Sequence, residues 1–300
     1  MFPHKNSDWN WYLDEILPAF EEIAKTIAKY QRCLVCYDDI LTIQNIKNHP
    51  NIEFKQLASN DTWCRDFGAI TIEQNGEKQL LDFVFNGWGK KFDATLDNQI
   101  SQKIFTDIKS IDFVLEGGSI DSNGIDTILT TTDCLLEQNR NPQFSKEEIE
   151  KKLQEYLGMK NIIWLEHGFL IGDDTDSHID MLARFVDKNT IAYVSCDDVS
   201  DPHFEALDKM KKQLEETKFN LVALPWVSAK YYDDERLPAS YANFLIINDA
   251  VLVPTYNDKN DQQALDIFSK LFPNRNIEGI DCSKIIRQHG SLHCLTMQYY

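Results

Sequence analysis

Positive charge is the first scarcity. Thirty Lys and Arg stand against 48 Asp and Glu, a formal net charge of −18 at pH 7 spread along the whole chain. A protein of that sign repels polyanions, so nucleic acid and anionic membrane surfaces are excluded as partners, whereas a small cation is attracted. Long apolar runs are missing too. The longest, such as FLIIN and AVLVP, are strand-sized and far too short to cross a bilayer. Residues 1–30 show no basic start followed by an apolar core, so no secretory signal is read there. Seven scattered cysteines, an odd number, fit reduced thiols better than a disulfide framework, and a cytoplasmic location is the expectation.

Phosphate loops and tight metal pairs are also lacking. EGGSI and FNGWGKKF do not match GxGxxG, which argues against a dinucleotide-binding sheet. CLVC at 33–36 has no second pair downstream, and in an extended segment positions three apart face opposite ways, so it reads as core packing. No linker rich in Pro, Gly or Ser divides the chain, which is read as one domain over residues 1–300.

What is present is an alternation of strands and helices. Residues 18–30 place Phe20, Ile23, Ala24, Ile27 and Tyr30 on one helical face, with Pro18 in the first turn. A strand, CLVCY, follows. The spacing predicts strands at 190–195, 219–224, 244–247, 251–254 and 277–281, and helices at 202–216 and 261–272, the second capped by Asp261. Asn248-Asp249 suits a two-residue hairpin loop. The pattern is α/β, built from strand–strand–helix units.

Four stretches gather reactive groups: NDTWCRDFGA (60–69), LEGGSID (115–121), GDDTDSHIDMLARF (172–185) and GSLHC (290–294). Each alone has an ordinary reading. These are an Arg65–Asp66 ion pair, a glycine turn, a solvated acidic loop or loose cation site, and a histidine packed beside a cysteine. Together they supply a thiol, an imidazole and several carboxylates. A zinc site from His178, Asp180 and either Cys294 or His293 is the rival use of the same residues, although C-x-x-C or H-x-x-x-H spacing is lacking among them.

These stretches, in this order, resemble the agmatine deiminase and bacterial peptidylarginine deiminase family. So do PHKNSDW near the start, NRNP (139–142), IIWL (162–165) and SYANFLIINDAVLVPTYND (240–258), and the likeness covers nearly the whole chain. The resemblance implies a five-fold pseudo-symmetric α/β propeller (pentein) of ββαβ units around a central site. It also implies hydrolysis of a guanidinium to a ureido group, with no metal and no organic cofactor. Cys294 would then be the nucleophile and His178 the acid and base, with Glu116 pairing with His178 to keep it protonated. Asp66 and Asp180 would grip the planar cation by its N–H edges, Trp63 would flank it, and Asp174 and Asn243 would lie near it.

Agmatine, a small dication, suits an acidic chain better than peptidyl-arginine does, because a substrate carboxylate asks for a cationic partner. Peptidyl-arginine, a metal-dependent hydrolase and a non-catalytic binder of guanidino compounds are the alternatives, and homo-oligomerisation is left open. Four departures from the family pattern stand out. Ala69 replaces a proline, Ser177 and Ser291 replace glycines, and an opening strand usual ahead of PHKNSDW is not in the sequence.

Overall fold

Short apolar runs broken by turn residues fold into five small β-sheets arranged around a common centre in the computed structural model, which describes residues 1–300. The first sheet pairs β1 (Cys33–Tyr37) parallel to β2 (Ile52–Gln56). The second holds β3 (Ile70–Gln74), β4 (Glu77–Val84) and β5 (Lys109–Val114), and the third β6 (Ile120–Ser122), β7 (Thr127–Thr131) and β8 (Asn161–Leu165). The fourth contains β9 (Ala183–Asp187), β10 (Thr190–Val194) and β11 (Asn220–Leu224). A separate hairpin, β12 (Lys230–Tyr232) and β13 (Glu235–Leu237), precedes the fifth, made of β14 (Leu245–Ile246), β15 (Ala250–Thr255) and β16 (Asn276–Asp281).

Four sheets share one plan. Their first strand pairs antiparallel with the second across a short turn, and a longer crossover returns the chain to a third strand parallel to the second. The fold is a pseudo-symmetric α/β propeller, whose first sheet has two strands instead of three. The hairpin at Asn248-Asp249 forms as its sequence predicts, closed by Ile247 N–H donating to Ala250 O at 2.9 Å.

Four long helices cover the outside: α1 (Leu13–Tyr30), α2 (Lys146–Leu157), α3 (Phe204–Glu215) and α4 (Asp261–Leu271). The first begins five residues before Pro18, which therefore sits inside the helix instead of its first turn. The apolar stripe prevails there: Ile16, Phe20, Ile23 and Ile27 are all buried, each contributing roughly 1.5–3 kcal/mol against the cost of one missing backbone hydrogen bond. Ser145 and Glu148 form a reciprocal capping box on α2, and Gly158 ends it in the left-handed conformation. Asp261 does not cap α4 through its own side chain. Its carboxylate accepts instead from Tyr256 N, Asp258 N and the Tyr241 hydroxyl, tying the helix start to the loop before it.

The connections between successive sheets matter most for function. Residues 60–68 lie between the first and second sheets, 115–119 between the second and third, and 166–182 between the third and fourth. Residues 238–244 enter the fifth, and the chain end after β16 supplies 290–296. All five connections turn inward, so groups far apart in sequence converge at one place.

Candidate active site

The first connection contributes Trp63, Asp66 and their scaffold. A single helical turn, Cys64–Phe67, aims Asp66 at the centre, and Arg65 N–H donates to Cys294 O at 3.1 Å, docking this turn on the chain end. Gly290 lies flat on the Trp63 ring, where an added Cβ would stand 2.5 Å from the ring edge. Asp66 is 4 % exposed and accepts from Trp88 Nε1 at 3.0 Å and from Gly118 N at 2.9 Å. Burial pushes its carboxyl well above the usual value, Asp180 alongside adds to this, and those two donors oppose it.

The second connection is the EGG turn. Gly118 packs so closely that a Cβ there would come within 2.7 Å of both Asp66 Oδ1 and His178 Nδ1 and within 3.2 Å of Asp180 Oδ2. Glu116 is fully buried, and both its oxygens accept from Arg140 Nε at 3.0 Å. The third connection carries His178 and Asp180 into a short 3-10 turn, Ile179–Met181, just ahead of β9. Its preceding loop is held by Arg140, which donates to Asp176 Oδ2 and Thr175 O, and by Lys91, which donates to Asp174 O and Asp176 Oδ1. Ser177 has φ +66°, in the left-handed region that favours glycine.

Cys294 sits in the final turn, 7 % exposed, with its sulfur 3.2 Å from Asn243 Nδ2 and 3.6 Å from Asp180 Oδ2. Burial raises its thiol well above the ordinary value, and the neighbouring Asp180 and Asp66 carboxylates raise it further. Asp180 is likewise pushed up to about 7 by burial, with Arg184 and Arg65 opposing. His178 goes the other way: burial, then the positive charges of Arg140 and Lys91, hold its imidazole well below its usual value. In the absence of a ligand the centre favours neutral groups. Two buried polar atoms there, His178 Nε2 and Asp180 Oδ1, have no hydrogen-bond partner.

A cavity of about 210 Å³ opens onto this cluster. Its wall includes Trp63, Asp66, Asp174, His178, Asp180 and Cys294, six of the eight residues singled out from the sequence. The other two lie behind it. Asn243 does not line the cavity; its side-chain oxygen accepts from His293 N at 2.7 Å and its amide reaches the Cys294 sulfur, so it clamps the nucleophile turn from beneath. Glu116 faces His178 as the resemblance implied, at ion-pair distance and not as a hydrogen bond. His178 Nε2 stands 3.9 Å from it, because Arg140 takes both carboxylate oxygens. That arrangement also disfavours a metal. Glu116, Cys134 and His178 have ligand atoms within 4.8 Å of one another, yet the guanidinium of Arg140 sits against that carboxylate and its positive charge repels a second cation.

Several site residues escape the sequence reading. Trp88 donates to Asp66 and lines the cavity, and Asp8, Asp61 and His289 shape the mouth. A signal for Trp88 existed in the flanking glycines of Gly87-Trp88-Gly89, and residues 87–90 all take positive φ, a conformation unusual for a tryptophan. A second, larger groove of about 460 Å³ runs beside β1 and is lined mostly by apolar side chains; it holds none of the site residues.

Five sheets closing on a buried thiol, an imidazole and paired carboxylates define a pentein. A dimethylarginine dimethylaminohydrolase shares the fold at TM-score 0.52 and 12% identity, matched over 94% of this chain and 88% of its own. Within that class the placement is narrower: the Porphyromonas-type peptidyl-arginine deiminase family matches residues 1–299, and this chain belongs to it. A C. jejuni agmatine deiminase, a cysteine-to-serine variant with substrate bound, is 49% identical with TM-score 0.96 over 98% of this chain and 90% of its own. An Enterococcus faecalis agmatine deiminase is 31% identical, with TM-score 0.91 over 99% of this chain and 91% of its own.

Proposed function

We propose that this chain, acting as one catalytic domain, hydrolyses the guanidinium of agmatine to N-carbamoylputrescine and ammonia. The observation that carries the reading is the cavity wall. Asp8, Asp61, Asp66, Asp173, Asp174 and Asp180 line it together with the Cys294 thiol, and no Lys or Arg does. Such a wall receives a cation at both ends. It sets no Lys or Arg against the carboxylate of free arginine or of a peptide ending in arginine.

The chemistry follows from the protonation states. A guanidinium entering between Asp66 and Asp180 supplies the positive charge that burial alone denies them, so both carboxyls ionise and hold its plane by paired hydrogen bonds. The same charge favours passing the Cys294 proton to His178, and the thiolate so formed attacks the guanidinium carbon. The carbon–nitrogen bond breaks, His178 delivers the proton that leaves with ammonia, and an amidino-thioether is left on Cys294. His178 then takes a proton from water, which attacks the same carbon, and the carbon–sulfur bond breaks to give the ureido product and restore the thiol. Glu116, fixed by Arg140 behind the ring, steadies the imidazole in its charged form. Trp63 walls one side of the bound cation, and Asn243 keeps the sulfur aimed.

The test is direct. The protein is incubated separately with agmatine, free arginine and a peptide ending in arginine, and ammonia and product mass are followed. Ammonia together with a gain of about one mass unit on agmatine alone is the expected result. Turnover of either arginine substrate at a comparable rate would overturn the assignment.

A further inference from the structure

Asp180 has two oxygens in unlike surroundings. Oδ1 is buried without a partner, while Oδ2 is the oxygen nearest the nucleophile, 3.6 Å from Cys294 Sγ. That second oxygen also meets His293 Nδ1 at 2.7 Å. His293 is 4 % exposed and does not line the cavity, so no substrate touches it. Its backbone is clamped as firmly as its ring, with N–H donating to Asn243 Oδ1 at 2.7 Å. Burial and the nearby Arg184 and Arg65 keep the imidazole neutral, and in the tautomer that carries its proton on Nδ1 the ring donates to the ionised Asp180 carboxylate.

We infer that His293 is a positioning residue that locks the Asp180 carboxylate in one rotation and draws negative charge away from the oxygen that faces the thiolate. The inference rests on the proposed function for its mechanism. Its physical basis is electrostatic. A carboxylate and a thiolate 3.6 Å apart repel in a dry site, and a donor on the very oxygen they share as neighbour reduces that repulsion. The other charged groups facing the pair are Arg65 from the 64–67 turn, Arg184 from β9, Asp121 from β6 and Asp66. Arg184 is already paired with Asp121 at 2.9 Å, and Arg65 donates to Met297 and Gln298, so neither replaces the lost donor.

The experiment compares His293→Phe, which removes the donor, His293→Gln, whose amide places a donor one bond too far, and His293→Asn, whose amide nitrogen mimics Nδ1. The readouts are the pH dependence of Cys294 alkylation by iodoacetamide without substrate, and kcat and KM for agmatine. In His293→Phe the alkylation midpoint rises by about one pH unit and kcat falls roughly 100-fold with a smaller change in KM. His293→Asn recovers to within about tenfold of wild type. His293→Gln matches the phenylalanine variant and carries the test if that variant fails to fold. An unmoved midpoint in His293→Gln, or His293→Asn no better than His293→Gln, overturns the inference. Alkylation needs no substrate, so wild type inert toward agmatine would sink the proposed function and leave this test standing.

Discussion

Two histidine–aspartate pairs of almost equal length lie in different parts of this molecule. His203 Nδ1 meets Asp201 Oδ1 at 2.6 Å in the loop before α3, and His293 Nδ1 meets Asp180 Oδ2 at 2.7 Å at the centre. Their carboxylates nevertheless titrate in opposite directions. Burial pushes Asp201 upward, but Arg236 on one oxygen and the backbone and ring of His203 on the other outweigh it and hold the group well below the usual range. At Asp180 burial wins. The lesson concerns donors, not distance: Asp201 has both oxygens engaged and anchors β13 to a loop, whereas Asp180 keeps one oxygen without a partner. An incomplete hydrogen-bond set is the mark of the reactive pair.

That contrast can be attacked by mutation. The largest effect is expected from Cys294→Ala, which abolishes turnover, a loss of at least about 10⁴-fold, while calorimetry still detects agmatine binding. Asp180→Asn, or Asp66→Asn, lowers kcat/KM by roughly 10³-fold, because a neutral amide no longer compensates the guanidinium. Asp201→Asn does the reverse: kcat/KM stays within about twofold while thermal unfolding moves down by about 2–5 °C. Equal losses of activity in the Asp180 and Asp201 variants would erase the distinction.

A subtler expectation follows from proton linkage. Asp66, Asp97 and Asp180 have raised folded-state values, about 7 for the last two, and Cys134, Cys282 and Cys294 are raised as well. The folded chain therefore keeps acid protons that the unfolded chain has released, at the carboxyls from about pH 5 and at the thiols above about pH 8, and this contribution to stability falls as pH rises. The depressed His4, His178, His203 and His293 act in the opposite sense, because they bind protons better when unfolded, and below about pH 6.5 they oppose the carboxyls. The melting temperature of the ligand-free protein declines from about pH 7 toward pH 9, and agmatine reduces the decline by favouring the ionised acids. The smallest effect belongs to Ser177→Gly, which relieves a left-handed residue and gains up to about 1 kcal/mol, read as a rise of a degree or two in melting temperature.

Local signals were legible in the sequence: the hairpin at Asn248-Asp249, three of the four outer helices, and the polar clusters that gather at the cavity, whereas the helix Lys146–Leu157 was not read. Contacts between distant segments were not. Arg140 is 24 residues from the Glu116 it neutralises, and Asp180 lies 113 from His293. No period or propensity encodes such a meeting; only closure of the propeller produces it. Pro18 and Asp261 show the limits of local rules even in helices. Each obeys its tertiary surroundings rather than its usual position, the proline because a buried stripe outweighs one hydrogen bond, the aspartate because three outside donors claim its carboxylate.

Gly118 deserves a last thought for what its missing side chain permits. A single methyl group there would overlap the first acid and the imidazole and crowd the second acid at once. Those three groups are therefore bound to one shared clearance, and none can shift toward the turn without forcing the others aside. The spacing of the catalytic centre is written less in the groups that react than in a hydrogen atom that does not.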